Sequence, residues 1–294
     1  MNIADYYKNR NKPVISFEIF PPKTVGGLEN LKKTLEDLSA LSPDFITVTY
    51  GAMGTTRDKT VEIASYIKNT LKIETACHLT CVGSTRDEIS TILNKIKESG
   101  INNIVALRGD PPAGEKHFTP PEGGMAYANE LVEHIRQYEK TSKNNAYHFG
   151  IAIAGYPEKH IEANNFDEDL TNLKRKVDAG ADIIITQLFF DNRYYFDYVE
   201  RVRSIGINIP IVPGLMPILS SKQIMKISSM CGSYIPETLK DQLIQAGDNN
   251  ALAEEIGITQ CVKQAKELLA AGVPGIHFYV LNKALHIKRI LQSL

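Results

Sequence analysis

At 294 residues, with 43% hydrophobic and 23% charged side chains, the chain has material for a large core and the profile of a soluble globular protein. A net charge of −1 excludes the global basic field of a nucleic-acid or anionic-membrane binder. No apolar run approaches the roughly 18 residues of a membrane span, and the N-terminal MNIADYYKNRNKP has no signal-peptide core. Cys77, Cys81, Cys231 and Cys261 are too scattered for a disulfide framework, and the pair around His78 lacks the second ligand pair of a zinc site, so no metal is expected. A reduced cytoplasmic protein is the expectation.

Short β-rich runs alternate along the chain with amphipathic helical runs. Strands are expected at Val14–Phe20, Phe45–Tyr50, Thr75–Thr80, Asn103–Gly109, His148–Ala154, Asp182–Phe190, Ile209–Leu215 and Gly275–Leu281. Between them, Leu28, Leu31, Leu35 and Leu38 recur at helical spacing, as do Ile89, Ile92, Leu93 and Ile96, then Leu170, Leu173 and Val177. Gly100, Gly180, Gly206 and Gly272 follow helical runs, as at helix C-termini. The pattern predicts a (β/α)8 TIM barrel, one domain over residues 1–294. The alternative, an open doubly wound sheet, loses its main support because no Gly-x-Gly-x-x-Gly follows a strand. Two segments exceed the plain repeat. Pro111–Met125 is a proline- and glycine-rich loop at the catalytic end, and Ser220–Ala271 has room for three helices before the last strand.

Strands of a parallel barrel are covered on both faces and should read as nearly continuous hydrophobics. Here Ser16 and Glu18 alternate with Phe17 and Ile19, Thr47 and Thr49 with Ile46 and Val48, and His78 and Thr80 with Cys77 and Leu79, while Gln187 falls on the face of Ile183 and Ile185. Glu18, Thr49, His78 and Gln187 are therefore expected to converge inside the barrel mouth, with Arg108 and Asp110 at the end of the fourth strand. An unpaired buried carboxylate costs several kcal/mol, so Glu18 is either paired or functional. His78 alone reads equally well as a core histidine satisfied by backbone. In Arg108-Gly109-Asp110, the glycine would let the backbone approach a ligand, or the motif is an ordinary strand exit. Asp169, Asn172 and Lys176 share one helix face, for which a solvated surface is the default.

The segments SFEIFPPK, TVTYGA followed by RDKT, HLTC, ALRGDPP, YPEKH, NLKRKVDAGAD, TQLFFD, PGLMPI and HFYVLN, in this order, resemble the methylenetetrahydrofolate reductases over essentially the whole chain. The resemblance implies a barrel that holds FAD, takes electrons from NADH or NADPH, and reduces 5,10-methylenetetrahydrofolate to 5-methyltetrahydrofolate. It implies a cytoplasmic homo-oligomer acting on a folate, with no nucleic-acid or membrane partner. By motif position Glu18 matches the general acid, and Asp110 a carboxylate near the flavin and the folate. Gln187, Gln223 and Lys283 match substrate-contacting positions. Thr49, His78, Arg108, Gly109, Asp110, Tyr127, Ala128, Tyr156, His160, Asp169, Asn172, Arg175 and Lys176 match the FAD-contacting set. Ile227 stands where the family often has an aromatic, and Lys283 where an arginine occurs. Two other readings stay open: a flavin-bearing subunit that needs an electron-transfer partner, and a flavin-free folate methyltransferase barrel.

Overall fold

The computed structural model describes residues 1–8, 12–22, 26–50, 57–110, 118–141 and 147–294, the side chains of 57 and 58 excepted. Pro111 and Pro112, and the first part of the loop that begins there, lie outside the described residues. The strands are β1 (Val14–Ile19), β2 (Phe45–Val48), β3 (Glu74–Thr80), β4 (Asn103–Leu107), β5 (Gly150–Gly155), β6 (Ile183–Thr186), β7 (Ile211–Val212), β8 (Gly214–Leu215) and β9 (Gly275–Tyr279). Every pairing is parallel, in the order β7-β6-β5-β4-β3-β2-β1-β9-β8. The seventh barrel strand, expected as one run over Ile209–Leu215, is broken at Pro213. Proline has no N–H to give a ladder, and the chain changes partner there: β7 pairs with β6, β8 with β9, and the Pro213 carbonyl accepts the His277 N–H at 2.9 Å. The barrel closes across that residue.

Ten helices surround the strands among the described residues: α1 (Gly27–Ser39), α2 (Arg57–Asn69), α3 (Arg86–Glu98), α4 (Ala128–Thr141), α5 (Phe166–Asp178), α6 (Asn192–Ser204), α7 (Ser221–Cys231), α8 (Glu237–Ala246), α9 (Asn250–Ala270) and α10 (Ala284–Gln292). α7, α8 and α9 are the three extra helices expected before the last strand. Local chemistry sets the helix starts. Thr85 and Glu88 form a reciprocal capping box at α3, and Asn165 caps α5 by accepting from the Glu168 N–H at 2.9 Å. Gly100, Gly180, Gly206 and Gly272 all have positive φ at helix ends, as expected.

The period-2 alternation sorts the strands into two layers. Phe17, Ile19, Ile46, Val48, Leu79, Ile104 and Ile153 face outward against Leu31, Leu35, Leu93 and Leu173 of the helices. Burying each such side chain contributes about 1.5–3 kcal/mol. Val14, Phe45, Ala76, Val105, Ala152, Ile183 and Val212 face inward and fill the barrel, where Ile3 and Ala4 of an N-terminal 3-10 helix (Ile3–Tyr7) join them. The interior is apolar at the N-terminal end of the strands and polar at the C-terminal end, where active sites of this fold lie. The expected sixth strand, Asp182–Phe190, ends at Thr186. Leu188 and Phe190 leave the sheet to build a second apolar cluster with Ile224, Ile235, Leu239 and Leu243 of the extra helical region. No helix among the described residues is long and apolar enough to cross a membrane.

Candidate active site

Inside the mouth, Glu18 is 8% exposed and His277, which the β1–β9 register sets beside Ser16, is fully buried. Glu18 Oε2 lies 3.2 Å from His78 Nε2 and 3.4 Å from His277 Nε2. The Thr47 hydroxyl reaches the same oxygen at 3.5 Å. The far nitrogen of His277, Nδ1, is 2.8 Å from Ser16 Oγ. A carboxylate thus sits between two imidazoles, one of them anchored by a hydroxyl. Burial pushes the Glu18 carboxyl up, but attraction to His78 and hydrogen bonding from His277 outweigh it and bring it down to about 2. In this arrangement Glu18 is ionised. Were the rings neutral, the attraction would vanish and burial alone would raise the carboxyl's proton affinity.

His78 Nε2 pairs with Glu18 as an ion pair, and the buried Thr80 hydroxyl has no hydrogen-bond partner among the described residues. Buried polar atoms are seldom left this way, and both residues lie on the inward face of β3. Tyr279, next to His277 on the inward face of β9, is occupied, donating to the Thr186 carbonyl at 2.7 Å.

A second feature opens beside β4 and β5, a cavity of about 540 Å³ between their C-terminal ends, α4 and α5. Its size falls in the range of small-molecule sites. Nine of the residues expected at a cofactor line it together: Arg108, Tyr127, Ala128, Tyr156, His160, Asp169, Asn172, Arg175 and Lys176. The α5 face carrying Asp169, Asn172 and Lys176 is therefore not plain solvated surface. Asp169 is 7% exposed and its carboxylate accepts the His160 N–H at 3.2 Å. Lys176 Nζ donates to the Ala154 carbonyl at the end of β5, 2.7 Å away. Burial pushes the Lys176 ammonium down to about 8, the charge of Asp169 offsetting part of the shift. Burial likewise raises Asp169 and lowers His160.

Charge in the cavity is uneven. Arg108 is clamped by Glu162 through two contacts of 2.6 Å, a bidentate pair that raises its already high pKa. Lys176 and Arg175 have no carboxylate partner in an ion pair among the described residues; Arg175 donates to the Asn172 side chain at 3.0 Å. Ala128 and Asn129, at the N-terminal end of α4, add the positive pole of a helix to the same wall. Two cations outside any ion pair among the described residues, with a helix N-terminus beside them, suit an extended, anionic ligand. A planar ring with polar edges would supply a partner for the Thr80 hydroxyl beside His78.

The remaining expected positions separate from this cavity. Thr49 and His78 belong to the mouth interior. Gln187 is half-buried and its Oε1 accepts its neighbour's Leu188 N–H at 2.8 Å. Gln223, in the first turn of α7, and Lys283, preceding α10, are exposed beyond the ends of β8 and β9, and Asp110 is exposed past β4. Gly109 has φ +93°, and a Cβ there would meet Val82 Cγ1 at 2.5 Å, so backbone conformation and packing against Val82 require it. Sequence reasoning missed His277, which period-2 alternation along Gly275–Leu281 places on the inward face with Tyr279. It also missed Glu162, whose bond to Arg108 spans 54 residues and leaves no local signal.

The family model described as methylenetetrahydrofolate reductase matches residues 3–294. The chain belongs to that family. The chain is similar to methylenetetrahydrofolate reductase (NADH) 1 of Arabidopsis thaliana, 42% identical over 96% of this chain and 49% of the relative. It is also similar to the 5,10-methylenetetrahydrofolate reductase of Escherichia coli, 39% identical over 92% of this chain and 86% of the relative. The chain thus spans about half the length of its plant relatives. A Clostridium thermocellum protein, described as binding two copies of 5-methyl-5,6,7,8-tetrahydrofolic acid, superposes with a TM-score of 0.65 over 98% of this chain and 96% of its own. At 18% identity that likeness shows the fold alone.

Proposed function

We propose that this chain, as a single domain, is a FAD-dependent methylenetetrahydrofolate reductase that converts 5,10-methylenetetrahydrofolate to 5-methyltetrahydrofolate. The observation that carries the reading is Glu18: a buried carboxylate between two imidazoles at the barrel mouth of a chain of this family. FAD, when bound, supplies the hydride that the methylene carbon accepts. Lys176, Arg175 and the start of α4 would hold its diphosphate, Asp169 would accept from a ribose hydroxyl, and His78, Thr49 and Thr80 would meet the ring edge.

The chain's own residues then supply the proton. Reduction requires a proton on the nitrogen that leaves the methylene carbon; that C–N bond breaks and the cation left on the folate accepts the hydride. Glu18 delivers the proton as general acid, receiving it from the imidazole side of the cluster, and Ser16 holds His277 in the orientation that keeps Nε2 on Glu18. Folate entering the mouth displaces water, which strengthens the burial effect that raises the proton affinity of Glu18. The plant relatives are named as NADH enzymes, and NADH is the donor we assign here.

The test is direct. The protein should purify yellow, with close to one FAD per chain, and NADH mixed anaerobically should bleach it within seconds. A protein that neither retains nor rebinds FAD overturns the reading in favour of a flavin-free folate barrel. A protein that holds FAD but is not bleached by NADH overturns the donor assignment, and one bleached by neither NADH nor NADPH is a subunit dependent on a partner.

A further inference from the structure

The loop joining β5 to α5 supplies Tyr156, His160 and Glu162 to the cavity, but its Glu158 does not line it. Glu158 is half-buried and makes a long-range connection: its Oε2 accepts the Tyr234 backbone N–H at 2.7 Å, across 76 residues. Its Oε1 is buried with no hydrogen-bond partner among the described residues. Tyr234 lies in the short segment between α7 and α8. Two more contacts close the same junction. Ile161 packs over Gly232, where an added Cβ would sit 3.6 Å from Ile161 Cβ, and the Tyr234 ring meets Tyr194 of α6 edge-on with centroids 6.3 Å apart.

Among the described residues, few groups face Glu158. Asp191, the cap of α6, is held by Arg193 and presents a second negative charge. Tyr194 and Tyr234 present phenols. Lys159 turns its ammonium to the carbonyls of His160 and Ala163. Burial pushes the Glu158 carboxyl up to about 7; the Tyr234 N–H pulls it down and Asp191 pushes it up, each less strongly. An ionised Glu158 in this junction would hold a buried charge with one unsatisfied oxygen near another carboxylate, whereas the neutral acid would not.

We propose that Glu158 is a positioning residue for the dinucleotide cavity: with its proton on, it clamps the β5–α5 loop against the segment after α7, and its ionisation loosens that cavity wall. The proposal rests on the reading of the cavity as the FAD site. Its sign follows from linkage. A carboxyl that binds its proton more tightly in the clamped form, at about 7, than in an open, hydrated form near the ordinary 4.5 must favour opening as pH rises through that window. Clamping should weaken by up to about tenfold between pH 6 and pH 8.

The experiment has two arms, each run on wild type, Glu158→Gln and Glu158→Ala. Glutamine keeps an acceptor for the Tyr234 N–H and cannot ionise. In the first arm, hydrogen–deuterium exchange of the 232–236 peptide is followed in FAD-stripped protein from pH 6 to 8.5. The wild-type rate divided by the Glu158→Gln rate, which cancels intrinsic exchange, should rise several-fold above pH 7. In the second, FAD affinity is titrated by fluorescence quenching over the same range. Wild-type affinity should fall by up to about tenfold relative to Glu158→Gln, and Glu158→Ala should bind weakly at every pH. Because His160 and Lys176 titrate too, the difference between wild type and Glu158→Gln carries the result. A pH-independent exchange ratio overturns the clamp. A pH-dependent ratio with parallel FAD profiles overturns its link to the cavity. Failure of all three proteins to bind FAD sinks the cofactor reading instead, and the exchange arm still judges the clamp.

Discussion

Lys176→Met removes the most buried cation of the cavity while keeping the apolar stem that packs beneath it. Burial holds the wild-type ammonium at about 8 against an ordinary 10.5. That difference corresponds to a cost of about 3 kcal/mol for keeping the charge in the unfilled cavity at neutral pH. Methionine relieves this cost and loses the bond to the Ala154 carbonyl, worth about 1 kcal/mol at a position that water can partly reach. Stability of the FAD-stripped protein should therefore hold or rise by about 1–2 kcal/mol in urea melts at pH 7. The advantage should shrink as pH rises. Between 8 and 10.5 the unfolded wild-type chain binds the Lys176 proton more tightly than the folded one, so wild-type stability increases across that window. FAD affinity should move the other way. Losing one charge-assisted contact to a diphosphate costs about 1.5–3 kcal/mol, tenfold to about a hundredfold in dissociation constant by fluorescence titration. Lys174→Met is the control, since its ammonium pairs with Asp178 on the exposed side of α5 and should leave affinity unchanged. A Lys176→Met protein that is several kcal/mol less stable but binds FAD like wild type would make Lys176 a brace for β5 and refute the reasoning.

Three other perturbations separate roles within the site. Gly109→Ala should destabilise the fold by about 2–4 kcal/mol in urea melts, because φ is +93° and the new Cβ would overlap Val82; a loss below about 0.5 kcal/mol would contradict the packing argument. Asp110→Asn should raise the midpoint potential of bound FAD, but by only about 5–20 mV, since an exposed charge interacts with less than about 1 kcal/mol; an unchanged potential in dye equilibration would place Asp110 beyond the flavin's reach. His277→Gln should move the Glu18 carboxyl above about 2 by removing one imidazole, and the acid limb of the folate-dependent reoxidation of FAD should shift to higher pH; an unmoved limb would leave His277 a structural residue of the mouth.

Much of this was legible in the sequence because barrels repeat. Eight β-rich runs separated by amphipathic stretches specify the fold. Polar residues at every second position of β1, β2 and β3 mark an interior that cannot be all apolar. The α5 face was legible as a face, but 3.6-residue periodicity cannot tell solvent from a cavity on the polar side, and only the packing of α5 onto the ends of β5 shows Asp169 buried and Lys176 half-buried. Contacts between distant segments were not legible. Glu18 meets His277 across 259 residues, and Glu158 meets Tyr234 across 76. The break at Pro213 could have been read from proline's missing donor, but the exchange of partners there depends on closure of the barrel.

The central claim is that Glu18 supplies the proton for folate reduction and has no part in accepting electrons from the donor. The measurement is anaerobic stopped-flow of FAD-loaded Glu18→Gln in two separate mixings. FAD reduction by NADH should proceed within about twofold of wild type. Reoxidation by methylenetetrahydrofolate should slow by about 10²-fold or more, the usual scale of a lost general acid. Equal slowing of both mixings, or reoxidation at the wild-type rate, would contradict the account.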